Sequence, residues 1–335
     1  MNVSRIVVLG AGAWGTALAN SYCFSNHSVT LWSIEADHVA EMQAERINRR
    51  YLPDIALNET LAITGDFATA CKDADLALIA TPVAGLRPTL KRIATEFPAL
   101  PVLWVCKGFE AGSGKLPHEV AAELLAPGTG RGALTGPSFA QEVAIGLPCA
   151  ITLASKDLAF ARHWAGKLMH PRLRLYANDD IVGAEIGAAV KNVLAIAAGI
   201  SDGLGFGLNA RAALLTRGLA EIARLSTALG GRSETLMGLA GMGDLILTAT
   251  GDLSRNRRVG LALAEGKQLP QILQELGHVA EGVLTTATVV QRARSLSVEM
   301  PITEAVHAVL EGGLNPRDAV EQLMTREARL ENGAG

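Results

Sequence analysis

The stretch that decides the fold is an apolar run followed by a glycine-rich turn, Ile6-Val7-Val8-Leu9-Gly10-Ala11-Gly12-Ala13-Trp14-Gly15. The apolar run predicts a buried strand, and the turn matches the pattern G-x-G-x-x-G. In that pattern Gly10 permits a tight turn, Gly12 lets backbone approach a pyrophosphate, and Gly15 lets the next helix pack on the strand. The N–H groups that begin this helix would face the phosphates. An ordinary glycine-rich turn is the alternative, but the strand before the motif and the helix-like residues after it favour dinucleotide binding.

Short apolar segments alternate with helical segments through the first half of the chain. Besides the first strand, strands are predicted at residues 29–32, 76–80, 102–105 and 150–153. This alternation predicts a mostly parallel, doubly wound α/β sheet of the Rossmann type, covered by helices on both faces. Ligands bind at the carboxyl ends of such strands. Residues that directly follow the strands are therefore candidate site residues: Thr81-Pro82, Lys107-Gly108 and Gly136-Pro137-Ser138.

From about Asp180 onward the sequence pattern is helical. Residues 182–199 are rich in alanine, glycine and isoleucine, which predicts a long buried helix, and no strand is expected after Tyr176. We therefore predict a dinucleotide-binding domain at 1–179 and an all-helical substrate and catalytic domain at 180–335. The boundary is placed at a cluster whose side chains can cap the incoming helix, Asn178-Asp179-Asp180.

Composition narrows the class of protein. The 335 residues carry a formal net charge of -3, and no lysine- or arginine-rich block suggests a nucleic-acid partner. The four cysteines are far apart, which predicts free thiols in a reducing, cytoplasmic compartment and no metal site. Apolar stretches are expected to be interrupted before they reach membrane-spanning length, so no stable membrane insertion is predicted. The interrupting residues are Asp202, Arg211 and Asp244.

Lys191 stands in the otherwise apolar segment that predicts the long helix. Burial of a lysine lowers its pKa toward neutrality and makes it a usable proton donor and acceptor. Gly187 lies one turn earlier on the same helix face and leaves room for something to approach. The alternative is a structural lysine that extends to solvent or pairs with Glu185.

Three further features accompany this lysine. Asp244 follows a flexible Gly-Met-Gly segment, and Lys107 follows a strand of the predicted sheet. The third is a cluster that opens a predicted helix with guanidinium groups, a hydroxyl, an amide and helix N–H groups, an arrangement that suits a phosphate. Taken alone, that cluster is equally compatible with a solvated helix start. Its residues are Ser254-Arg255-Asn256-Arg257-Arg258.

Taken together and in order, these motifs resemble the bacterial-type NAD(P)-dependent glycerol-3-phosphate dehydrogenases over essentially the whole chain. Several ordered motifs are far more specific than any one of them. They are Gly10–Gly15, Tyr51-Leu52-Pro53, Cys106-Lys107-Gly108-Phe109-Glu110, Gly136-Pro137-Ser138-Phe139-Ala140, Val190-Lys191-Asn192-Val193, Gly243-Asp244-Leu245, Ser254-Arg255-Asn256-Arg257 and Val279-Ala280-Glu281-Gly282.

The resemblance implies reversible hydride transfer between NAD or NADP and dihydroxyacetone phosphate, which gives sn-glycerol 3-phosphate for glycerophospholipid synthesis. It implies that Lys191 is the general acid/base. It implies a substrate site formed by Lys107, Gly136, Ser138, Lys191, Asp244, Ser254, Arg255 and Asn256. The implied cofactor contacts are Gly10, Gly12, Ala13, Trp14, Gly15, Ile34, Lys107, Ala140, Arg255, Val279 and Glu281.

Two positions depart from the family pattern. Ala13 stands where the family often has serine, and Ile34 stands where members that favour NADP often have arginine. Glu35 can bind the ribose 2′-hydroxyl of NAD. Three arginines downstream could instead reach the 2′-phosphate of NADP, so the sequence leaves cofactor preference open. These are Arg46, Arg49 and Arg50.

Other functions remain possible from sequence. A related two-domain reductase of a 2-keto acid or an acyl-CoA would share the first domain and not need the phosphate cluster at Ser254. A non-catalytic dinucleotide sensor would not need a buried Lys191. A histidine-based dehydrogenase is a further alternative, but none of the seven histidines lies in a motif, and all are expected at the surface or at helix ends. A glycine- and alanine-rich helical domain predicts a homodimer.

Overall fold

The computed structural model describes residues 3–25, 27–277 and 280–325. Eight strands of this part of the chain form one sheet, and β3 and β4 form a separate hairpin. The strands are β1 (Arg5–Leu9), β2 (Ser28–Trp32), β3 (Ile47–Asn48), β4 (Leu52–Ala56), β5 (Ala62–Thr64), β6 (Leu76–Ile79), β7 (Val102–Trp104), β8 (Arg131–Thr135), β9 (Cys149–Ala154) and β10 (Leu173–Asn178).

Helices connect the strands and then make up the remainder of the described chain. Those among the strands are α1 (Ala13–Cys23), α2 (Ala36–Glu45), α3 (Phe67–Cys71), α4 (Val83–Glu96), α5 (Pro117–Leu124), α6 (Ala140–Ala144) and α7 (Leu158–Leu168). Those after the sheet are α8 (Ile181–Gly203), α9 (Gly207–Ala228), α10 (Ser233–Leu236), the π-helical turn Leu239–Gly243, α11 (Asp244–Thr250), α12 (Arg255–Ala264), α13 (Leu269–Leu276), α14 (Glu281–Ser295), α15 (Pro301–Leu310) and α16 (Pro316–Met324).

The sheet has the strand order β10-β9-β8-β7-β6-β1-β2-β5. All neighbours are parallel except β8 and β9, which run antiparallel. The chain leaves β1 to one side through β2 and crosses to the other side through β6, so the strand order reverses at β1. Such a reversal opens a crevice at the carboxyl ends of the strands. The predicted Rossmann-type α/β fold with a following helical part is confirmed.

Three strands of the sheet were not expected from sequence. β5 has three residues at one edge, and β8 begins with Arg131-Gly132, which interrupts an apolar run. β10 is the other edge strand and exposes Arg174 and Tyr176 on one face, so it lacks the continuous apolar pattern of a central strand. It continues past Tyr176 to Asn178. The five strands that the prediction found all lie inside the sheet and are nearly continuous apolar runs.

The helical part is organised around α8. Asp180 caps this helix, because its carboxylate accepts a hydrogen bond from the N–H of Gly183. Every residue from Gly183 to Ser201 is buried. α12 crosses it very closely, since a Cβ on Gly260 would lie 2.1 Å from the carbonyl oxygen of Ile196. This close crossing brings the beginning of α12 near the lysine carried by α8.

The expectation that apolar runs end before membrane-spanning length is wrong for α8. Within the described ranges, α8 is the one helix that is long and apolar enough to span a membrane. Asp202 interrupts the run only in the last turn of the helix. However, 94% of an 18-residue apolar stretch of α8 is buried inside the protein. Its apolar character is therefore explained by its place in the helical core.

Candidate active site

Two lysines meet one buried carboxylate where the helical part faces the sheet. Lys191 Nζ on α8 donates to Asp244 Oδ1 at 2.5 Å, and Lys107 Nζ donates to Asp244 Oδ2 at 3.0 Å. Lys191 Nζ also donates to Thr248 Oγ1 at 2.7 Å. Asp244 is 1% exposed and Lys191 is 5% exposed. The alternative of a lysine that extends to solvent does not hold, and Thr248 is a partner that sequence analysis missed.

The surroundings of the two lysines push their pKa values apart. Burial lowers the pKa of Lys191 to about 7, and Lys107 adds to the effect while Asp244 opposes it. Burial also acts against the charge of Lys107, but the Asp244 carboxylate outweighs it and the pKa of Lys107 is raised. One ammonium is therefore stable near neutral pH and the other can gain or lose a proton there. A general acid/base has this property.

The position of Asp244 depends on tight backbone packing. A Cβ on Gly187 would lie 2.5 Å from the carbonyl oxygen of Ala240. The room expected at Gly187 therefore holds the π-helical turn Leu239–Gly243 rather than a ligand. Asp244 follows this turn as the first residue of α11. Thr248 lies one turn later, and its hydroxyl also donates to the carbonyl oxygen of Asp244.

Glu185 does not pair with Lys191, contrary to the alternative raised from sequence. Its carboxylate accepts a hydrogen bond from Trp104 Nε1 at 2.8 Å and lies 2.6 Å from Nδ1 of His118. Trp104 ends β7, the strand that precedes Lys107. Glu185 thus attaches α8 to the strand whose carboxyl end carries the second lysine.

The cluster at the start of α12 separates into different roles. Ser254 caps the helix by accepting from the N–H of Arg257. Arg257 pairs with Asp202 at 2.8 Å and with Asp252 at 2.9 Å. Arg258 Nε donates to the carbonyl oxygen of Asp252. The structure describes all the arginines of this cluster, and the two ion pairs of Arg257 give that residue a structural role.

Arg255 is exposed and makes no hydrogen bond or ion pair with any residue the structure describes. Asn256 is buried beside it, donates to Asn192 Oδ1 at 3.0 Å and accepts from the N–H of Gly282 at 3.0 Å. Glu281 is close enough to Arg255 for the two charges to interact. The guanidinium group of Arg255 is thus free to bind an anion near the lysine pair.

The remaining described candidates lie after strands of the sheet or at helix starts. Gly136 and Ser138 follow β8, and Ser138 donates to the carbonyl oxygen of Gly136. Ala140 begins α6 and, like Ala13 and Trp14, packs against a small buried apolar cluster. Glu281 begins α14, where burial raises its pKa against the opposing charges of Lys107, Arg255 and Lys191. Ile34 is exposed after β2. Val279 lies outside the described residues.

The glycine-rich turn has the shape that a pyrophosphate needs. Gly10 has a φ of +123°, and a Cβ there would lie 2.7 Å from the backbone of Ala80. A Cβ on Gly15 would lie 2.1 Å from the carbonyl oxygen of Gly10, whereas one on Gly12 meets no described atom within 4 Å. Gly12 has no side chain that could cap α1, which leaves the first N–H groups of the helix for a phosphate. These features fit a dinucleotide, with its pyrophosphate above Gly12.

The contrast between Gly12 and Gly15 gives a matched pair of variants. Gly12→Ala is expected to keep the Tm of the wild type and to weaken NADH binding about tenfold, or ~1.4 kcal/mol, because the new methyl occupies the open space. Gly15→Ala is expected to destabilise the fold by about 1–3 kcal/mol through backbone overlap. Thermal melts and NADH fluorescence titrations measure both. A Gly12→Ala protein that binds NADH normally would place the pyrophosphate elsewhere.

Histidine positions differ from the expectation of surface or helix-end locations. His27 is 8% exposed and His38 is 1% exposed. His38 Nε2 lies 2.9 Å from Asn48 Oδ1 and His27 Nε2 lies 3.1 Å from the carbonyl oxygen of Lys167. His278 lies outside the described residues. Within the described ranges, no group of three or more histidine, cysteine or acidic side chains is arranged to hold a metal ion.

Comparisons with known proteins agree along the whole chain. The model for the N-terminal part of the NAD-dependent glycerol-3-phosphate dehydrogenases matches residues 5–161, and the model for the C-terminal part matches residues 180–321. This chain belongs to that family. Glycerol-3-phosphate dehydrogenase (NAD(P)+) of Aromatoleum aromaticum is 63% identical over 328 residues, covering 98% of this chain and 100% of the relative.

Two more relatives support membership of the NAD-dependent glycerol-3-phosphate dehydrogenase family. The enzyme of the same name from Dechloromonas aromatica is 61% identical over 327 residues, covering 98% of this chain and 99% of the relative. The crystal structure of glycerol-3-phosphate dehydrogenase from Coxiella burnetii has a TM-score of 0.92 at 44% identity and covers 97% of this chain and 99% of that one. Family membership is evidence against the 2-keto acid reductase and the non-catalytic sensor considered from sequence.

Proposed function

We propose that this chain is an NAD(P)-dependent sn-glycerol-3-phosphate dehydrogenase. It reduces dihydroxyacetone phosphate to sn-glycerol 3-phosphate, and the reverse oxidation uses the same groups. The observation that carries this function is a buried Lys191 with a pKa lowered to about 7 beside Asp244. The product is the phosphorylated backbone of glycerophospholipids.

The proposed role of Lys191 is to give a proton to the ketone oxygen of the substrate. When bound, the nicotinamide supplies the hydride that reduces the carbonyl carbon. The ammonium of Lys191 polarises the carbonyl and stabilises the charge that develops on its oxygen. Asp244 holds the Nζ atoms of Lys191 and Lys107 on its two oxygens and so sets their spacing. Lys107 remains charged and orients the substrate oxygens.

The proposed binding site for the substrate phosphate is the start of α12. Arg255 is exposed and unpaired among the described residues, and a guanidinium group binds phosphate through two parallel hydrogen bonds. Ser254 and Asn256 flank Arg255 in the sequence, and they offer a hydroxyl and a second amide hydrogen as further donors. Asn192 holds the amide of Asn256 in place. Gly136 and Ser138 are proposed to border the same crevice from the end of β8.

The division of the chain into a cofactor domain at 1–179 and a catalytic domain at 180–335 is part of this proposal. β10 ends at Asn178 and the catalytic helix begins at Ile181. We further propose a cytoplasmic homodimer. All four cysteines are free thiols, which suits a reducing compartment. Sedimentation analysis of the purified protein would measure the oligomeric state.

The assay for this function follows NADH absorbance with dihydroxyacetone phosphate as substrate. Unphosphorylated dihydroxyacetone and a branched 2-keto acid serve as controls at equal concentrations. We expect rapid NADH oxidation only with the phosphorylated ketone, and the same measurement with NADPH gives the cofactor preference. Turnover of the 2-keto acid without turnover of dihydroxyacetone phosphate would contradict the proposal.

The lowered pKa of Lys191 predicts opposite pH profiles for the two reaction directions. Reduction needs the ammonium form, so its kcat is expected to fall as pH rises through about 7. Oxidation needs the neutral amine, so its kcat is expected to rise across the same interval. Asp244 raises the pKa of Lys191, and Asp244→Asn is therefore expected to move both transitions to lower pH. Transitions near the ordinary pKa of lysine, or a shift of the opposite sign, would contradict this role.

A further inference from the structure

The end of β2 lies where this fold binds the adenosine ribose of a dinucleotide. Ile34 is 80% exposed there and offers no polar atom on its side chain. Glu35 follows it at the start of α2, with half of its side chain exposed. A carboxylate at this position accepts a hydrogen bond from the 2′-hydroxyl of NAD and repels the 2′-phosphate of NADP.

The β3–β4 hairpin is attached to the glycine-rich turn by Asn48. Its side-chain amide is buried and donates to the carbonyl oxygen of Ala11 at 2.9 Å and to Thr16 Oγ1 at 2.8 Å. Residues 49–51 connect the two strands of the hairpin. Because Ala11 belongs to the turn and Thr16 to α1, the connection is held beside the cofactor crevice.

Arg50 extends from this connection toward the end of β2. Its Nη1 donates to Glu35 Oε2 at 2.7 Å, and its Nε donates to Glu41 Oε2 at 3.2 Å. A guanidinium group has five N–H donors, so further donors of Arg50 stay available. Its side chain is 40% exposed. A cation therefore lies against the carboxylate that would otherwise exclude a 2′-phosphate.

The other two arginines considered from sequence are used elsewhere. Arg46 follows α2 in a left-handed conformation, and its Nη2 donates to the carbonyl oxygens of Asn58 and Leu61. Arg49 pairs with Glu45, the last residue of α2, on an exposed surface. Among these three described arginines, Arg50 alone contacts the residue that follows Ile34.

We propose that Arg50 is the residue that admits NADPH to this enzyme, and that Glu35 and Arg50 form a paired site for either ribose substituent. With NADH, Glu35 accepts from the 2′-hydroxyl while Arg50 neutralises it. With NADPH, Arg50 donates to the 2′-phosphate and Glu41 keeps the guanidinium in position. The proposal rests on the proposed function only for the identity of the cofactors, and it assigns a specificity role to residues outside the catalytic cluster.

Equilibrium binding of NADPH and NADH, measured by the fluorescence of the reduced nicotinamide, tests this without turnover. Arg50→Ala is expected to raise the Kd for NADPH at least tenfold and the Kd for NADH less than threefold. Glu35→Gln is expected to tighten NADPH binding and weaken NADH binding, each a few-fold. Arg49→Ala, which removes a neighbouring arginine that is 57% exposed, is the matched control and should change neither Kd by more than twofold.

Two results would overturn the proposal. One is an equal loss of affinity for NADPH and NADH in Arg50→Ala, and the other is a selective loss of NADPH affinity in Arg49→Ala. Thermal melts and the milder variant Arg50→Gln, which keeps a hydrogen-bond donor without the charge, separate a binding effect from misfolding. If the wild type bound both cofactors but did not turn over dihydroxyacetone phosphate, the proposed function would fail while the Arg50 result still decided this inference.

Discussion

Lys191→Ala is expected to lower kcat for reduction of dihydroxyacetone phosphate by about 10²-fold or more, the loss that accompanies removal of a general acid. Lys107 is not expected to replace it, because Asp244 raises the pKa of Lys107 and makes its ammonium group a weaker acid that holds its proton. Asp244 keeps Lys107 as a partner in the variant, so no buried carboxylate is left unpaired. Initial rates at saturating substrate measure the loss, and NADH fluorescence titration should show unchanged cofactor binding.

Thr248→Val is the matched control for this experiment. It removes one hydrogen bond from Lys191 Nζ but keeps the amine and its contact with Asp244. We expect this variant to retain most of its kcat, because the amine that carries the proton is still present. Near-normal activity of Lys191→Ala across the pH range would remove Lys191 from the mechanism. A Thr248→Val loss as large as that of Lys191→Ala would indicate that geometry, rather than the proton, limits the rate.

Arg255→Ala is expected to weaken binding of dihydroxyacetone phosphate by about 2–3 kcal/mol, the contribution of a charge-assisted hydrogen bond. This corresponds to an increase of roughly 30- to 150-fold in KM. The reason is that Arg255 is exposed and unpaired among the described residues, so its guanidinium group is available to the substrate. Steady-state kinetics with the phosphorylated and the unphosphorylated ketone measure the effect, which should be confined to the former.

Arg258→Ala provides the comparison on the same helix. Arg258 is exposed like Arg255, but it donates to the carbonyl oxygen of Asp252. Its loss is expected to change KM much less. If Arg255→Ala discriminated against unphosphorylated dihydroxyacetone as strongly as the wild type does, the phosphate site would have to lie elsewhere. A larger effect at Arg258 would exchange the roles of the two arginines.

Local sequence patterns predicted the features that local physics controls. The buried central strands follow from continuous apolar runs, and the turn at Gly10 follows from its glycines. Asp180 and Ser254 both cap helices at the positions their residue types indicate. The edge strands β5 and β10 were missed because a strand with one exposed face does not show a continuous apolar pattern.

The sequence by itself determined that the chain has a dinucleotide turn, a lysine within an apolar helix and a cationic helix start, because each is a feature of neighbouring residues. Only the tertiary structure decided which groups meet. Asp244 is 53 positions from Lys191 and 137 from Lys107, yet its two oxygens receive both ammonium groups. Packing of α12 and the π-helical turn on the glycines of α8 brings these distant segments together. The pKa values then follow from burial and neighbouring charge, which exist only once the chain has folded.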